Sequence, residues 1–556
     1  MRYELINWGT VMTTASAPEP FGRRTFLLAM GAGGLALGAS GTLSSPAEAS
    51  TFGFTSSGGF FTVDTGAGLV FRINQSNGDL TSLRRNGVEL QSQSRFSHVE
   101  SGLGSGATVT AAQTGNLIVI TETATNWYGS GTIVHYLVAR NGDAAIYMAT
   151  FVDTNGAGEL RWIQEFDRNV ITGMNQAADV NGGTAIESKD IFLVNGQTRS
   201  KYYGNRQAMN LTPRGVTGNG IGAFMDYGNR ESSSGGPFFR DIEQQGSTTI
   251  QLYNYLWSGH NDTESQRLGV LYGPYALIIT GGGTPAAPDL GFMYSLGLRG
   301  AVPMSGRGFV SGKAVGVPGG SVVGFANGQA QYWAVSQSDG SFTSPAMKPG
   351  TYNQTLYQNE LPVTTRSVMV TAGTTNGGQN ITSAWLTPAA IFRIGSWDGA
   401  PTSFKNWNNL TTMHPSDSRM ASWGPTTYVV GTSSTSDFPA YQWIGVNNPT
   451  TVEFALAAGQ VAARTVRIGL SAAYANGRPQ ISVNNWTSPI PAPSTQPKSR
   501  SLTIGTYRGN NALFTYQVPA SAFTAGTNTM KITIVSGDTG TTYLSPGVSF
   551  DSVEMF

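Results

Sequence analysis

Short runs of β-branched and aromatic residues, each cut off after a few positions by glycine-rich turns, leave this chain little alternative to antiparallel sheet. Phe61-Thr62-Val63 leads to Gly68-Leu69-Val70-Phe71-Arg72-Ile73, then to a polar turn at Asn74-Gln75-Ser76-Asn77-Gly78-Asp79, and Asn86-Gly87 precedes Val88. Alternating apolar residues bounded by Asn-Gly or Gly-Gly signal hairpins, because the tight turns between twisted strands need residues that tolerate positive φ. With 72 glycines and 26 prolines in 556 residues, this punctuation persists to the C-terminus. No sustained helical period appears, only brief candidates such as 172–178 and Pro519-Ala520-Ser521-Ala522. The expected fold class is all-β, made of antiparallel sandwiches.

The first mature region runs without a break to about Arg299, a length that one large β-sandwich can reach. After Ala301-Val302-Pro303-Met304, short strands are expected at 315–317, 322–326, 332–336, 354–357 and 366–370, the proportions of a small immunoglobulin or fibronectin type III sandwich. Residues 372–379, rich in Gly, Thr and Asn, read as a linker. From 381 onward there is room for one more sandwich of jelly-roll size. The expected divisions are 1–49, 50–302, 303–379 and 380–556.

Gly22-Arg23-Arg24-Thr25-Phe26-Leu27-Leu28, a Gly/Ala-rich apolar stretch and Ala47-Glu48-Ala49 have the pattern of a bacterial twin-arginine export signal cleaved after Ala49. That stretch is too weakly apolar to hold a stable membrane anchor. The product is expected to be secreted to the extracellular space, by a bacterium, and to act as a monomer. The absence of cysteine removes disulfides, thiolate nucleophiles and cysteine-bound metals, so stability must come from burial in large cores. A net charge of +1 with 12% charged residues carries no electrostatic footprint for nucleic acid or anionic lipid.

Generic catalytic patterns fail. Val216 to Gly222 lacks dinucleotide-site glycine spacing, Gly281-Gly282-Gly283-Thr284 has no following lysine, no Gly-x-Ser-x-Gly elbow occurs, and His98, His135, His260 and His414 have no metal-ligand spacing. More informative is Leu252-Tyr253-Asn254-Tyr255 followed by Trp257-Ser258-Gly259-His260. Two phenols and an indole offer flat apolar surface with polar rims, and histidine moves protons near neutrality, which is the equipment of a sugar site. A half-buried strand ending in a surface loop accounts for the same residues.

Four segments carry a resemblance: Ser101-Gly102-Leu103-Gly104-Ser105-Gly106, Gly158-Glu159-Leu160-Arg161-Trp162-Ile163, Gly196-Gln197-Thr198-Arg199-Ser200-Lys201-Tyr202-Tyr203, and Leu252 through His260 to Ser265. Together they resemble the rhamnogalacturonan endolyases of polysaccharide lyase family 4. Ser344-Pro345-Ala346-Met347-Lys348-Pro349-Gly350 resembles that family's middle domain. Ile391 to Gly399, with Met413-His414-Pro415-Ser416-Asp417-Ser418-Arg419-Met420, resembles its final domain. The resemblance implies a galactose mutarotase-like super-sandwich, then a fibronectin type III-like sandwich and a jelly-roll carbohydrate-binding-like sandwich. It also implies β-elimination between rhamnose and galacturonic acid in the rhamnogalacturonan I backbone of pectin, with no cofactor required. The family's catalytic lysine and histidine match Lys201 and His260; its active-site arginine and two tyrosines best match Arg161, Tyr253 and Tyr255. Ser396 stands where the family usually has an acidic residue, a departure in the final domain.

Lysine is a poor base at neutral pH unless burial or neighbouring positive charge assists it, and Arg199, two residues away, is a candidate for that charge or for a uronate clamp, as is Arg161. His260 is assigned to neutralising the uronate carboxylate or protonating the leaving oxygen, with Tyr253 as the competing proton donor. Tyr202, Tyr203, Trp257 and Tyr272 are candidates for stacking on sugar rings, and Glu187, Asp190, Glu264 and Arg267 for holding hydroxyls or orienting His260. In the last domain Trp397, Asp398, Trp407, His414, Asp417, Arg419, Trp423 and Trp443 form an aromatic and polar series suited to carbohydrate contact, with Asp398 and Asp417 as candidates for a structural calcium. The competing readings are a noncatalytic pectin-binding sandwich protein and an extracellular structural or adhesin-like assembly; a glycoside hydrolase would instead require two converging carboxylates.

Overall fold

The computed structural model describes residues 51–155, 158–260, 264–385, 387–497 and 501–556; the leader expected at 1–49 lies outside them. Among the described residues every helical segment is a 3-10 turn, the longest Gly291–Ser295. Of the two helical turns expected from sequence, short ones form at Gln176–Ala178 and Ala520–Ala522. At the hairpin tip after Leu80–Arg85, Asn86 and Gly87 have φ of 48° and 84°, the mirrored turn that Asn-Gly favours.

The strands Gly53–Ser57, Phe60–Asp64, Leu69–Asn74, Leu80–Arg85 and Val88–Glu89 form an antiparallel meander. Backbone bonds from Leu80 to Ser97 and from Ser92 to Glu165 tie it to a second sheet, ordered Gln244–Gly246, Ile250–Ser258, Glu159–Phe166, His98–Val99. A seven-stranded sheet contributes Leu137 and Met148 to the same core as Phe71 and Leu83 of the meander and Trp162 and Leu252 of the second sheet. This is the large antiparallel sandwich, and its strands bury alternate residues because successive side chains of a strand point to opposite faces. Trp162 stacks on His135 with ring centroids 5.2 Å apart, and burial lowers the His135 pKa to about 3. A separate three-stranded sheet, Thr184–Glu187, Ile191–Val194 and Gln197–Ser200, leads into Lys201.

The small second sandwich has sheets ordered Gln331–Val335, Val322–Ala326, Gly350–Gln358, Leu361–Val370 on one side, and Ser341–Thr343 beside Phe309–Val315 on the other. The run 372–379 is not a free linker. Thr375–Asn376 and then Ile381–Thr382 pair in parallel with Phe309–Val315, completing this sandwich's edge, because their backbone groups satisfy that strand's open side. The strand expected at 315–317 begins earlier, at Phe309, and ends at Val315. A buried ion cluster ties this domain to the first: Glu231 accepts from Arg307 at 2.6 Å and Tyr332 at 2.9 Å, and pairs with Lys348 at 3.3 Å. Thus Lys348, within the segment that resembles the middle domain, works at an interface.

In the third sandwich, Phe392–Gly395, Gly547–Met555, Arg464–Tyr474 and Ala512–Val518 form one sheet; Thr427–Val429, Thr450–Leu456, Gly526–Val535, Arg478–Val483 and Trp486–Thr487 form the other. Their common core contains Trp443 and Trp423, with Trp407 packed against it, while Trp397 is buried as well. The tryptophans expected to contact carbohydrate therefore serve the interior of this domain, where an indole removes more apolar surface from water than most side chains can.

Candidate active site

The site grows from the outer face of the sheet that carries Glu159–Phe166 and Ile250–Ser258. Leu160, Trp162, Leu252 and Leu256 point into the sandwich core, so the intervening Arg161, Ile163, Tyr253 and Tyr255 face outward. A bulge sets the register: Leu160 opposes Trp257 and Arg161 opposes Tyr255, skipping Leu256. Arg161 donates from Nη1 to the Tyr255 hydroxyl at 3.3 Å, pairs with Glu159, and lies 5.5 Å from the Tyr255 ring centroid. The Tyr253 and Tyr255 rings are 5.7 Å apart. Ile163, Ile191, Tyr202, Tyr203, Ile242 and, from the third domain, Ile504 pack with the two tyrosines in one buried apolar cluster.

His260 follows the strand end, where the Gly259 amide donates to Gly158 O at 2.9 Å. Its Nδ1 lies 3.2 Å from Asp241 Oδ1 and its Nε2 3.7 Å from Glu159 Oε2. Asp241 is nearly buried and is fixed by the Ile242 amide at 2.7 Å and the Ser258 hydroxyl. Lys201 sits in the turn just past Gln197–Ser200, with Nζ 3.2 Å from Asp190 Oδ1. Lys201 Nζ is 5.5 Å from the Tyr202 ring centroid, and the His260 ring meets the same ring edge-on at 5.3 Å. Thus one tyrosine ring contacts both side chains. A cleft of about 710 Å³ shares Arg161, Ile163 and Tyr253 with this cluster and extends past Arg95, His98 and Gln245; Lys201 and His260 lie beyond its walls.

Both phenols stay protonated through the physiological range. Burial raises the Tyr253 pKa, Glu165 adds to the effect and Arg161 opposes it. Tyr255 is likewise pushed well above its ordinary value by burial, against Arg161. Tyr253 already donates its hydroxyl to Gln251 Oε1 at 2.7 Å.

Other candidates lie elsewhere. The strand ends at Ser200, so alternation does not extend from Arg199 to Lys201; Arg199 donates instead to the Asp179 carbonyl at 3.1 Å. Tyr203 is fully buried and cannot stack on a sugar. Trp257 packs against the sandwich core, and Tyr272 lies within it, donating to Arg267 O at 2.6 Å. Glu264 pairs with Arg267 at 2.6 Å, and Glu187 bonds His414 at 2.7 Å, so neither orients His260. Asp241 does, and sequence reasoning missed it, because Phe239-Arg240-Asp241-Ile242 carries no motif and only folding brings it to His260.

The two carboxylates named for calcium are held separately. Asp417 accepts from Thr198 and Arg419, whereas Asp398 accepts from Asn359 at 3.2 Å and neighbours Asp551, whose pKa is raised by burial and by the Asp398 charge. Among the described residues no three histidine, cysteine or acidic side chains are grouped to hold a metal.

Three family models cover the described structure in chain order: residues 52–300 match rhamnogalacturonan lyase B, N-terminal; 306–377 match polysaccharide lyase family 4, domain II; and 390–555 match polysaccharide lyase family 4, domain III. The chain is 45% identical over 515 residues to a probable rhamnogalacturonate lyase A of Aspergillus fumigatus, covering 91% of this chain and 96% of that protein. It is 44% identical to rhamnogalacturonate lyase A of Aspergillus aculeatus with the same coverages, and 40% identical to a putative rhamnogalacturonase of Neurospora crassa, covering 91% and 95%. With its three domains matched in order and relatives of this identity along nearly its whole length, the chain belongs to polysaccharide lyase family 4.

Proposed function

We propose that this protein is a rhamnogalacturonan lyase that cuts the rhamnose–galacturonic acid linkage within rhamnogalacturonan I by β-elimination, leaving an unsaturated galacturonyl end. The observation that carries the reading is that Lys201 and His260 both approach the Tyr202 ring, at 5.5 and 5.3 Å from its centroid, while the Tyr255 ring joins His260 to Arg161. Elimination removes the proton at C5 of the uronate, moves those electrons into the new C4–C5 double bond and expels the glycosidic oxygen from C4. The C5 proton is weakly acidic, so the developing charge on the carboxylate has to be met by positive or hydrogen-bonding groups.

The C5 proton passes to Lys201 Nζ; the charged group beside that nitrogen is the Asp190 carboxylate at 3.2 Å rather than the positive charge expected from Arg199, and it stabilises the ammonium that proton transfer produces. Arg161 clamps the uronate carboxylate, where a guanidinium makes two directed bonds. His260 delivers a proton to the leaving oxygen. Asp241 engages Nδ1 and leaves Nε2, 3.7 Å from Glu159 Oε2, to carry the proton, while the competing Tyr253 phenol is committed to Gln251 and has its pKa raised by burial. These groups supply the charge the reaction needs, so the reading calls for no cofactor. The Arg23-Arg24 leader supports export by a bacterial twin-arginine route to act on polymer outside the cell, although the relatives named above are fungal; in this reading the protein acts as a monomer.

The test is incubation of the purified protein with de-esterified rhamnogalacturonan I while following the ultraviolet absorbance of the unsaturated uronyl product. Rising absorbance, absent from Lys201→Ala and His260→Ala, supports the reading. New reducing ends without absorbance would point to a hydrolase, and intact polymer to a binding protein.

A further inference from the structure

The loop 413–419 of the third domain makes no carbohydrate platform, yet it is tied to the segment that ends in Lys201. Asp417 Oδ2 accepts from the Thr198 amide at 2.5 Å and from the Thr198 hydroxyl at 2.6 Å. The His414 amide donates to the same hydroxyl at 3.0 Å, and Ser418 Oγ donates to Gly196 O at 3.2 Å. His414 Nδ1 accepts the Ser416 amide at 3.1 Å, so Nε2 is the nitrogen that donates to Glu187 at 2.7 Å. On the far side of the lysine, the Gly204 amide donates to Thr411 O at 2.7 Å. Thr198, His414 and Asp417 are all buried.

The strand that leads into Lys201 belongs to a three-stranded sheet that is not paired with either large sheet of the first domain. A small sheet of this kind gains little rigidity from its own ladder. Bonds from the third domain bracket Lys201, at residues 196 and 198 before it and 204 after it. Asp417 is well suited to this task. Burial alone would raise its pKa, but hydrogen bonds from Arg419 and Thr198 outweigh burial and hold it well below the usual carboxylate range, so it remains a charged acceptor.

We propose that the 411–419 loop of the third domain is a positioning element of the active site, with Asp417 clamping Thr198 so that Lys201 stands at the uronate C5. The proposal rests on the lyase reading, in which Lys201 is the base. The full chain carrying Asp417→Ala is expected to lose about 10- to 100-fold in kcat, the scale of a base displaced by about 1 Å, with KM changed little. Thr198→Val removes the hydroxyl and keeps the amide, so its loss should be smaller. The double variant should be no worse than Asp417→Ala alone, because both changes break one clamp. Asp417→Asn keeps an acceptor oxygen and should restore much of the rate.

Ile481→Ala, in the third-domain core and away from the loop, supplies the stability control. It should lower Tm at least as far as Asp417→Ala and leave kcat unchanged below the melting range. Parental kcat in Asp417→Ala overturns the proposal, as does an equal loss in Ile481→Ala, which would show that general loosening of the domain suffices. A parent protein that yields no unsaturated product sinks the lyase reading itself, and the positioning role with it; a working parent with an indifferent Asp417 sinks only the latter.

Discussion

The two halves of the candidate site are built in different ways. The histidine half is made within one domain: Tyr253, Tyr255 and His260 come from one strand and its exit, and Asp241, which holds His260, is 19 residues away in sequence. The lysine half is short-range only at Asp190. Its strand is fastened by Asp417, 219 residues from Thr198, and by His414, 227 residues from Glu187. One half is therefore a property of a sheet, and the other a property of two domains docked together. A site can thus share a single ring, that of Tyr202, while depending on unrelated parts of the chain for its precision.

Changes at the chemistry itself should erase the difference between the halves. Lys201→Ala and His260→Ala are each expected to cost about 10²- to 10⁴-fold in kcat, the usual weight of a positioned base or acid, measured as initial rates of absorbance gain. If either retained the parental rate, its half would not take part in proton transfer. Arg161→Lys comes next. A point charge replaces a forked donor, and a loss of about 1.5–3 kcal/mol in kcat/KM is expected if the guanidinium binds the uronate in a charge-assisted bond.

Asp241→Asn tests the histidine half as Asp417→Ala tests the lysine half. The amide cannot hold the His260 Nδ1 proton as a carboxylate does, so kcat should fall by about 10- to 100-fold with KM changed little. A parental kcat would make Asp241 a purely structural neighbour.

Acid stability separates the halves more gently. Within the sandwich core, stacked on Trp162, His135 has its pKa lowered to about 3 from an ordinary 6.5. Below 6.5 the unfolded chain binds a proton that the folded chain refuses, so this stability is whole above 6.5 and is lost as pH falls toward 3. Asp417 also has a depressed pKa, but as a carboxylate its contribution is present above about 4 and lost only at lower pH. Tm against pH should therefore flatten between about 3 and 6.5 in His135→Gln, and only at the acid end in Asp417→Asn. The smallest effect is expected for Trp257→Phe, whose indole packs on the core; a KM shift beyond about twofold would return it to the sugar-binding surface.

Local geometry explains why some of this was legible in advance. Asn86-Gly87 announced its mirrored turn, and Val322–Ala326 formed where β-branched residues lay between turns, since such signals act over a few residues. The shared face of Tyr253 and Tyr255 follows from the two-residue period of a strand. The same rule failed for Arg199 and Lys201, because the strand stops between them. Composition likewise misplaced the aromatics: Tyr203, Trp423 and Trp443 have the chemistry of sugar-stacking residues, and each is buried. The Gly-rich run at 372–379 had the composition of a linker, but an unpaired strand beside it gave its backbone a better partner than water.

By itself the amino-acid sequence determined the all-β class, the alternation that turns Arg161, Tyr253 and Tyr255 outward, and the segments that mark polysaccharide lyase family 4. Only the tertiary structure decided that Asp241 holds His260, that Tyr202 contacts both His260 and Lys201, and that the third domain's loop grips the strand leading into Lys201. The division has a physical cause. Turn and strand preferences come from steric limits within a few consecutive residues, whereas the partner of a buried carboxylate or hydroxyl is set by which surfaces exclude water together, and those surfaces can lie hundreds of residues apart.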